Sequence, residues 1–119
     1  MTEIKKKVAP TSQEVTSFIE TINFNIPQDF ISFFEESNGG TIVTDEYFIV
    51  LWPLTEMIQL NKDYSITENA PEFFAFGSDG AGMAYAIEKQ TGFIYEMPFI
   101  GISKEDAVLL KKTFLDFIR

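Results

Sequence analysis

The chain has 119 residues, a net charge of −9, and neither cysteine nor histidine. Without cysteine there is no disulfide or thiolate chemistry, and without histidine the commonest general base is gone. Catalysis would have to run on carboxylates, lysine, hydroxyls or tyrosine, and a core rich in phenylalanine (thirteen of them) needs no metal or disulfide to hold one domain together.

The charge is unevenly spread. Lys5, Lys6 and Lys7 come early and the next basic residue is Lys62, while eight acidic residues lie between Val8 and Asn61. Such a surface repels nucleic acid and anionic membrane and attracts a basic protein. Charge of this size also serves plain solubility. No apolar run approaches the roughly 18 residues of a membrane span, and no apolar segment follows the early lysines as a signal peptide requires. The expectation is a soluble, cytoplasmic protein.

Residues 1–10 read as a flexible arm, leaving 11–119 as a single domain. Thr11 and Glu14 have the spacing of a capping box, and Val15, Phe18, Ile19 and Ile22 follow on one helical face. A second helix starts at Pro27, with Asp29 in its first turn and Phe30, Ile31, Phe33 and Phe34 on its apolar face. Glu35 and Glu36 fall in its last turn, where the helix dipole disfavours them by a few tenths of a kcal/mol each. A partner-facing role and a solvated end both fit that mild misfit. Asn38-Gly39-Gly40 supplies the stop.

Thr41–Thr44 and Tyr47–Trp52 form a predicted hairpin with Asp45 and Glu46 near its tip. Leu54–Leu60 predicts a short helix with Met57 and Ile58 facing in, followed by a polar connection to Pro71 that is helical in part. Phe73–Phe76, Met83–Ile87 and Phe93–Met97 then read as three antiparallel strands, since so few residues join them. Pro98 ends the last of these. Ser103 and Asp106 predict a cap for a final helix whose stripe is Ala107, Leu110, Phe114, Phe117 and Ile118. The order of elements predicts α+β: a central, mostly antiparallel sheet flanked by N-terminal and C-terminal helices.

Gly77-Ser78-Asp79-Gly80-Ala81-Gly82 invites a phosphate-loop reading that fails on detail. The glycine order is GxxGxG, a strand follows instead of a helix, and no lysine is present. A turn in which Asp79 bonds to local N–H groups fits better. The adjacent pairs Glu35–Glu36 and Asp45–Glu46 point to different sides of their elements, so neither makes an acid/base dyad. No residue is marked as a nucleophile. Tyr47, Trp52, Tyr85 and Tyr95 fit either the floor of a binding surface or the core.

Taken in order, Ile26-Pro27…Asp29-Phe30…Phe33-Phe34…Gly39-Gly40, then Trp52-Pro53-Leu54…Ile58, then Phe74-Ala75-Phe76-Gly77-Ser78-Asp79-Gly80-Ala81-Gly82…Tyr85, then Thr91-Gly92-Phe93-Ile94-Tyr95, form a series that resembles the SUKH superfamily. That group contains yeast cell-wall synthesis regulators and many small bacterial proteins. The resemblance runs from Ile26 to the C-terminus, with one departure: Met83 stands where the pattern often has an acidic residue. It implies the α+β fold above and no catalysis, hence no catalytic residue, metal or cofactor. It also implies an immunity-type role, binding and neutralising a toxin domain such as a nuclease. A basic toxin would meet Glu35, Glu36, Asp45, Glu46 and Asp79, with Trp52 or Tyr85 as anchors. The rivals are a regulatory or scaffold module binding a cellular protein, and a hydrolase built on carboxylates.

Overall fold

The computed structural model describes residues 2–119. Seven strands run β1 (Glu3–Lys6), β2 (Gly40–Val43), β3 (Phe48–Leu51), β4 (Phe73–Ser78), β5 (Met83–Glu88), β6 (Ile94–Pro98) and β7 (Val108–Lys111). Each pairs antiparallel with the next, so sequence order is also sheet order. The helices are α1 (Ser12–Thr21), α2 (Gln28–Glu36), α3 (Leu54–Asp63), α4 (Ile66–Asn69) and α5 (Phe114–Ile118). The α+β reading, with its antiparallel sheet and flanking helices, is borne out.

Local chemistry explains most of these boundaries. Thr11 Oγ1 accepts from Glu14 N at 3.1 Å and Glu14 Oε1 accepts from Thr11 N at 2.8 Å, completing the capping box of α1. Asp29 accepts from Phe30 N at the start of α2, and its other oxygen accepts from Leu115 N at 3.1 Å. One carboxylate therefore ties the start of α2 to α5. The two helices then share a phenylalanine core. Phe30, Phe34, Phe76, Phe114 and Phe117 are all but sealed from solvent, and Phe76 meets Phe30, Phe114 and Phe117 edge-on at 5.6–5.9 Å. Edge-on rings place positive edges on negative faces and add to the burial energy. Further along the same strand Phe74 packs against Phe18 of α1 at 5.8 Å.

Strand β3 is too short to cover β4. It pairs only at Val50 with Ser78 and at Leu51 with Gly77. A Cβ on Gly77 would lie 2.5 Å from the Val50 carbonyl, so only glycine lets the backbones approach there. Beyond that point a side chain takes over from the missing strand. Asn61 of α3 accepts from Ala75 N and donates to Ala75 O, both at 2.8 Å, and donates to Met57 O as well. Asn61 is 2% exposed, so losing it would strand a buried N–H and C=O.

Two segments differ from the sequence reading. Within the stretch 1–10, read as a flexible arm, Glu3–Lys6 forms strand β1. Main-chain pairing to β2 places it there, reinforced by Lys7 N donating to Ser37 Oγ and Asn38 N to Val8 O. Gly40 permits the approach, because a Cβ would collide with the Lys5 carbonyl. At the other end, the helix predicted from Ser103 is corrected. Ser103 caps only a 3-10 turn, Lys104–Asp106, and Val108–Lys111 is strand β7, with helix confined to Phe114–Ile118. The open edge of β6 captures a run whose apolar residues suit either period.

Candidate functional site

The predicted site residues fall into four groups. Glu35 and Glu36 lie at the exposed end of α2, and Lys6 of β1 reaches Glu36 at 3.1 Å. Asp45 and Glu46 lie in the turn beyond the far end of β2, both exposed. Asp79 opens the β4–β5 loop. Trp52 and Tyr85 are core residues, 9% and 3% exposed. Trp52 stacks on Tyr64 and Phe99, at 5.7 and 6.2 Å between ring centroids. The chain thus separates the acidic pair of α2 from the others and tucks both aromatic candidates beneath the surface.

Asp79 organises its loop as the turn reading requires. One carboxylate oxygen accepts from Ala81 N, Gly82 N and Met83 N, at 2.8, 3.1 and 3.0 Å. Gly80 and Gly82 take positive φ in this loop, +77° and +148°, which glycine adopts freely. Partial burial pushes the Asp79 carboxyl up, but the N–H donors from Met83, Ala81 and Gly82 outweigh it and hold the group below its ordinary value.

Around this loop an acidic cluster assembles. Tyr47 and Tyr85 meet edge-on at 6.2 Å, and both rings also pack on Phe117, at 5.1 and 4.9 Å. Burial pushes the Tyr85 hydroxyl up to about 12, with Asp79, Glu96 and Tyr47 adding to the effect. Burial likewise raises Tyr47, with Glu46 and Glu96 adding and Lys111 opposing. Three carboxylates from three separate segments therefore act on one pair of tyrosines. Lys111 answers Glu46 at 2.9 Å and is itself held above its ordinary value by that bond.

Sequence reasoning missed two members of this surface. Glu96 is a lone acid in a strand, and only the register of β5 with β6, which sets it opposite Tyr85, reveals its place. Phe48 follows Tyr47 but turns outward, 48% exposed, its ring beside Gly80. Strand alternation is the signal that could have found it: if Tyr47 faces in, Phe48 faces out.

Three hollows lie elsewhere. One of about 380 Å³ lies between α1 and α3 and includes Glu14, whose carboxylate is already spent on the capping box. Two others, about 560 and 190 Å³, are lined by Ile22 and Asn23 among others and hold no carboxylate. The carboxyls displaced from their ordinary values, Glu72, Asp79 and Glu105, are all held down, the reverse of what a general acid requires. Among the described residues no three acidic groups converge as a metal-binding set, and no helix is long and apolar enough to cross a membrane.

A seven-stranded antiparallel meander with helices packed on it and an acidic cluster at its surface together define a class: a small α+β domain whose conspicuous feature is surface charge. More specifically, the chain belongs to the SMI1 / KNR4 family (SUKH-1), whose model matches residues 9–119. The match begins after β1. Comparison with the curated proteins gives no match. Membership supports a protein-binding role of the immunity or regulatory kind, in a family that is generally non-catalytic.

Proposed function

We propose that this chain is a non-enzymatic immunity protein that binds a toxin domain and neutralises it by occlusion. The observation that carries the reading is the cluster of Glu46, Asp79 and Glu96 around Tyr47 and Tyr85, on a chain of net charge −9. A toxin that acts on nucleic acid presents a basic groove, and this cluster offers it matching potential. Asp45 extends the acidic surface along its turn, and Phe48 supplies the exposed apolar ring that an acidic rim alone lacks. Tyr85, packed on Tyr47 and Phe117, serves as the rigid floor beneath, while Trp52 stacks on Tyr64 and Phe99. Glu35 and Glu36, at the other end of β2, stand outside this contact. The protein acts in the cytoplasm, uses no cofactor and binds neither nucleic acid nor membrane.

Family membership equally supports a regulatory module that binds a cellular protein. Co-purification from the native host separates the two readings. Retention of a basic toxin domain supports immunity, and retention of a host protein alone replaces it with regulation. A hydrolase would need two carboxylates sharing a hollow, and of the three hollows described above only the first is lined by a carboxylate, that of Glu14.

A further inference from the structure

The two edges of the sheet are built differently. Strand β1, Glu3-Ile4-Lys5-Lys6, carries charge at three of four positions, the usual protection against edge-to-edge association. Strand β7, Val108-Leu109-Leu110-Lys111, carries it at one. Among the described residues no backbone bond satisfies the outer side of β7, and no strand lies beyond it. Val108 and Leu109 are 53% and 45% exposed. An unprotected apolar edge with free N–H and C=O groups is a template for another strand.

The residues flanking β7 say which strand fits. Glu105 and Asp106 precede the apolar run, and Lys111 and Lys112 follow it. Turned antiparallel against itself, this segment sets its acidic end beside its basic end on both sides of a two-fold axis. A parallel pairing would set like charges together. With the axis at Leu109, Val108 lies opposite Leu110, and the turn that ends at Asp106 comes to the end where Lys112 of the second copy leaves its strand. Those two charges are the ones left for the purpose. Glu105 is engaged by Ser103 at 2.7 Å and Lys111 by Glu46 at 2.9 Å. Lys112 rests only over the Phe93 ring at 5.8 Å, and Asp106 has no charged partner among the described residues.

We infer that β7 is a homodimerisation edge, joining two copies into one continuous fourteen-stranded sheet through antiparallel β7–β7 pairing. Such an interface is self-complementary, as two-fold symmetry demands. Four residues of strand bury far less than a tight dimer needs, so the association is weak and set by concentration.

Sedimentation velocity of the intact chain, from about 10 µM to about 1 mM, tests this. The wild type shifts from monomer to dimer across that range. Leu109→Lys stays monomeric at the top of it, with unchanged far-UV circular dichroism. Asp106→Lys weakens dimerisation at least about tenfold, and the swapped pair Asp106→Lys with Lys112→Asp recovers most of it. A wild type that remains monomeric at 1 mM overturns the inference. So does a dimer that survives Leu109→Lys, or one abolished by Ile4→Lys on the opposite edge.

Discussion

Two acidic regions lie at opposite ends of β2, and they are answered differently. At the end of α2, Glu36 meets Lys6 in the open and the pairing stops there. Around Tyr47 and Tyr85, Glu46, Asp79 and Glu96 converge from three segments, and Lys111 is the cation set against them. Charge count separates the two by a single carboxylate. What separates them is coupling to the interior: the second region acts on the buried Tyr85 and the half-buried Tyr47, while the first pairs in the open.

The comparison can be broken at its strongest point in alkali. Tyr85 is raised from its ordinary value near 10 to about 12, so the folded state holds its proton more tightly than the unfolded chain. Its contribution is fully present below pH 10 and is lost as pH rises toward 12. Allowing for partial hydration of the hydroxyl, the loss is about 2 kcal/mol. Tyr85→Phe should flatten the stability profile between pH 10 and 12 in urea titrations. A profile as steep as wild type would uncouple the cluster from the core.

Asp79→Ala should cost about 1–2 kcal/mol in urea unfolding, because three N–H donors lose their acceptor in a partly exposed loop. Asp79→Asn keeps an acceptor oxygen and should recover at least half of that. The sign in acid is opposite to that of Tyr85. With its folded value depressed, Asp79 stabilises above its unfolded value near 4, and the benefit is lost as pH falls through the lower folded value. Asp79→Asn should therefore be less acid-sensitive than wild type.

The smallest effect belongs to the first region. Lys6→Ala should leave the urea midpoint within measurement error, since an exposed pair gains little from its attraction. A clear loss would mean that the α2 end is coupled to the fold after all.

Much of this was legible in the residues. Thr11 and Glu14 announced a capping box that is fully formed, and the three central strands followed from short glycine turns between apolar runs. Asp79 read correctly as the acceptor of its own turn. The failures in the fold have one physical origin, the edge of a sheet. Val108-Leu109-Leu110 satisfies a helical stripe and a strand equally, and the open side of β6 decides between them. Glu3–Lys6 has almost no apolar pattern, and main-chain bonds to β2 place it. Glu96 belongs to the candidate site only through its register with Tyr85, and Phe48 only through strand alternation. Trp52 and Tyr85 show the converse: aromatic residues chosen for their type lie in the core, because burial of large rings is what the core needs.

The central claim is that the Tyr47–Tyr85 cluster draws in a basic partner. Its most direct measurement is the association rate of the co-purified partner over a series of ionic strengths. Two charge-reversed variants complete it: Glu46→Lys with Glu96→Lys, and Glu35→Lys with Glu36→Lys. The account predicts a wild-type rate that falls steeply with salt, a first variant at least about tenfold slower at low salt with a flattened dependence, and a second close to wild type. A rate indifferent to salt, or two variants slowed alike, would contradict it.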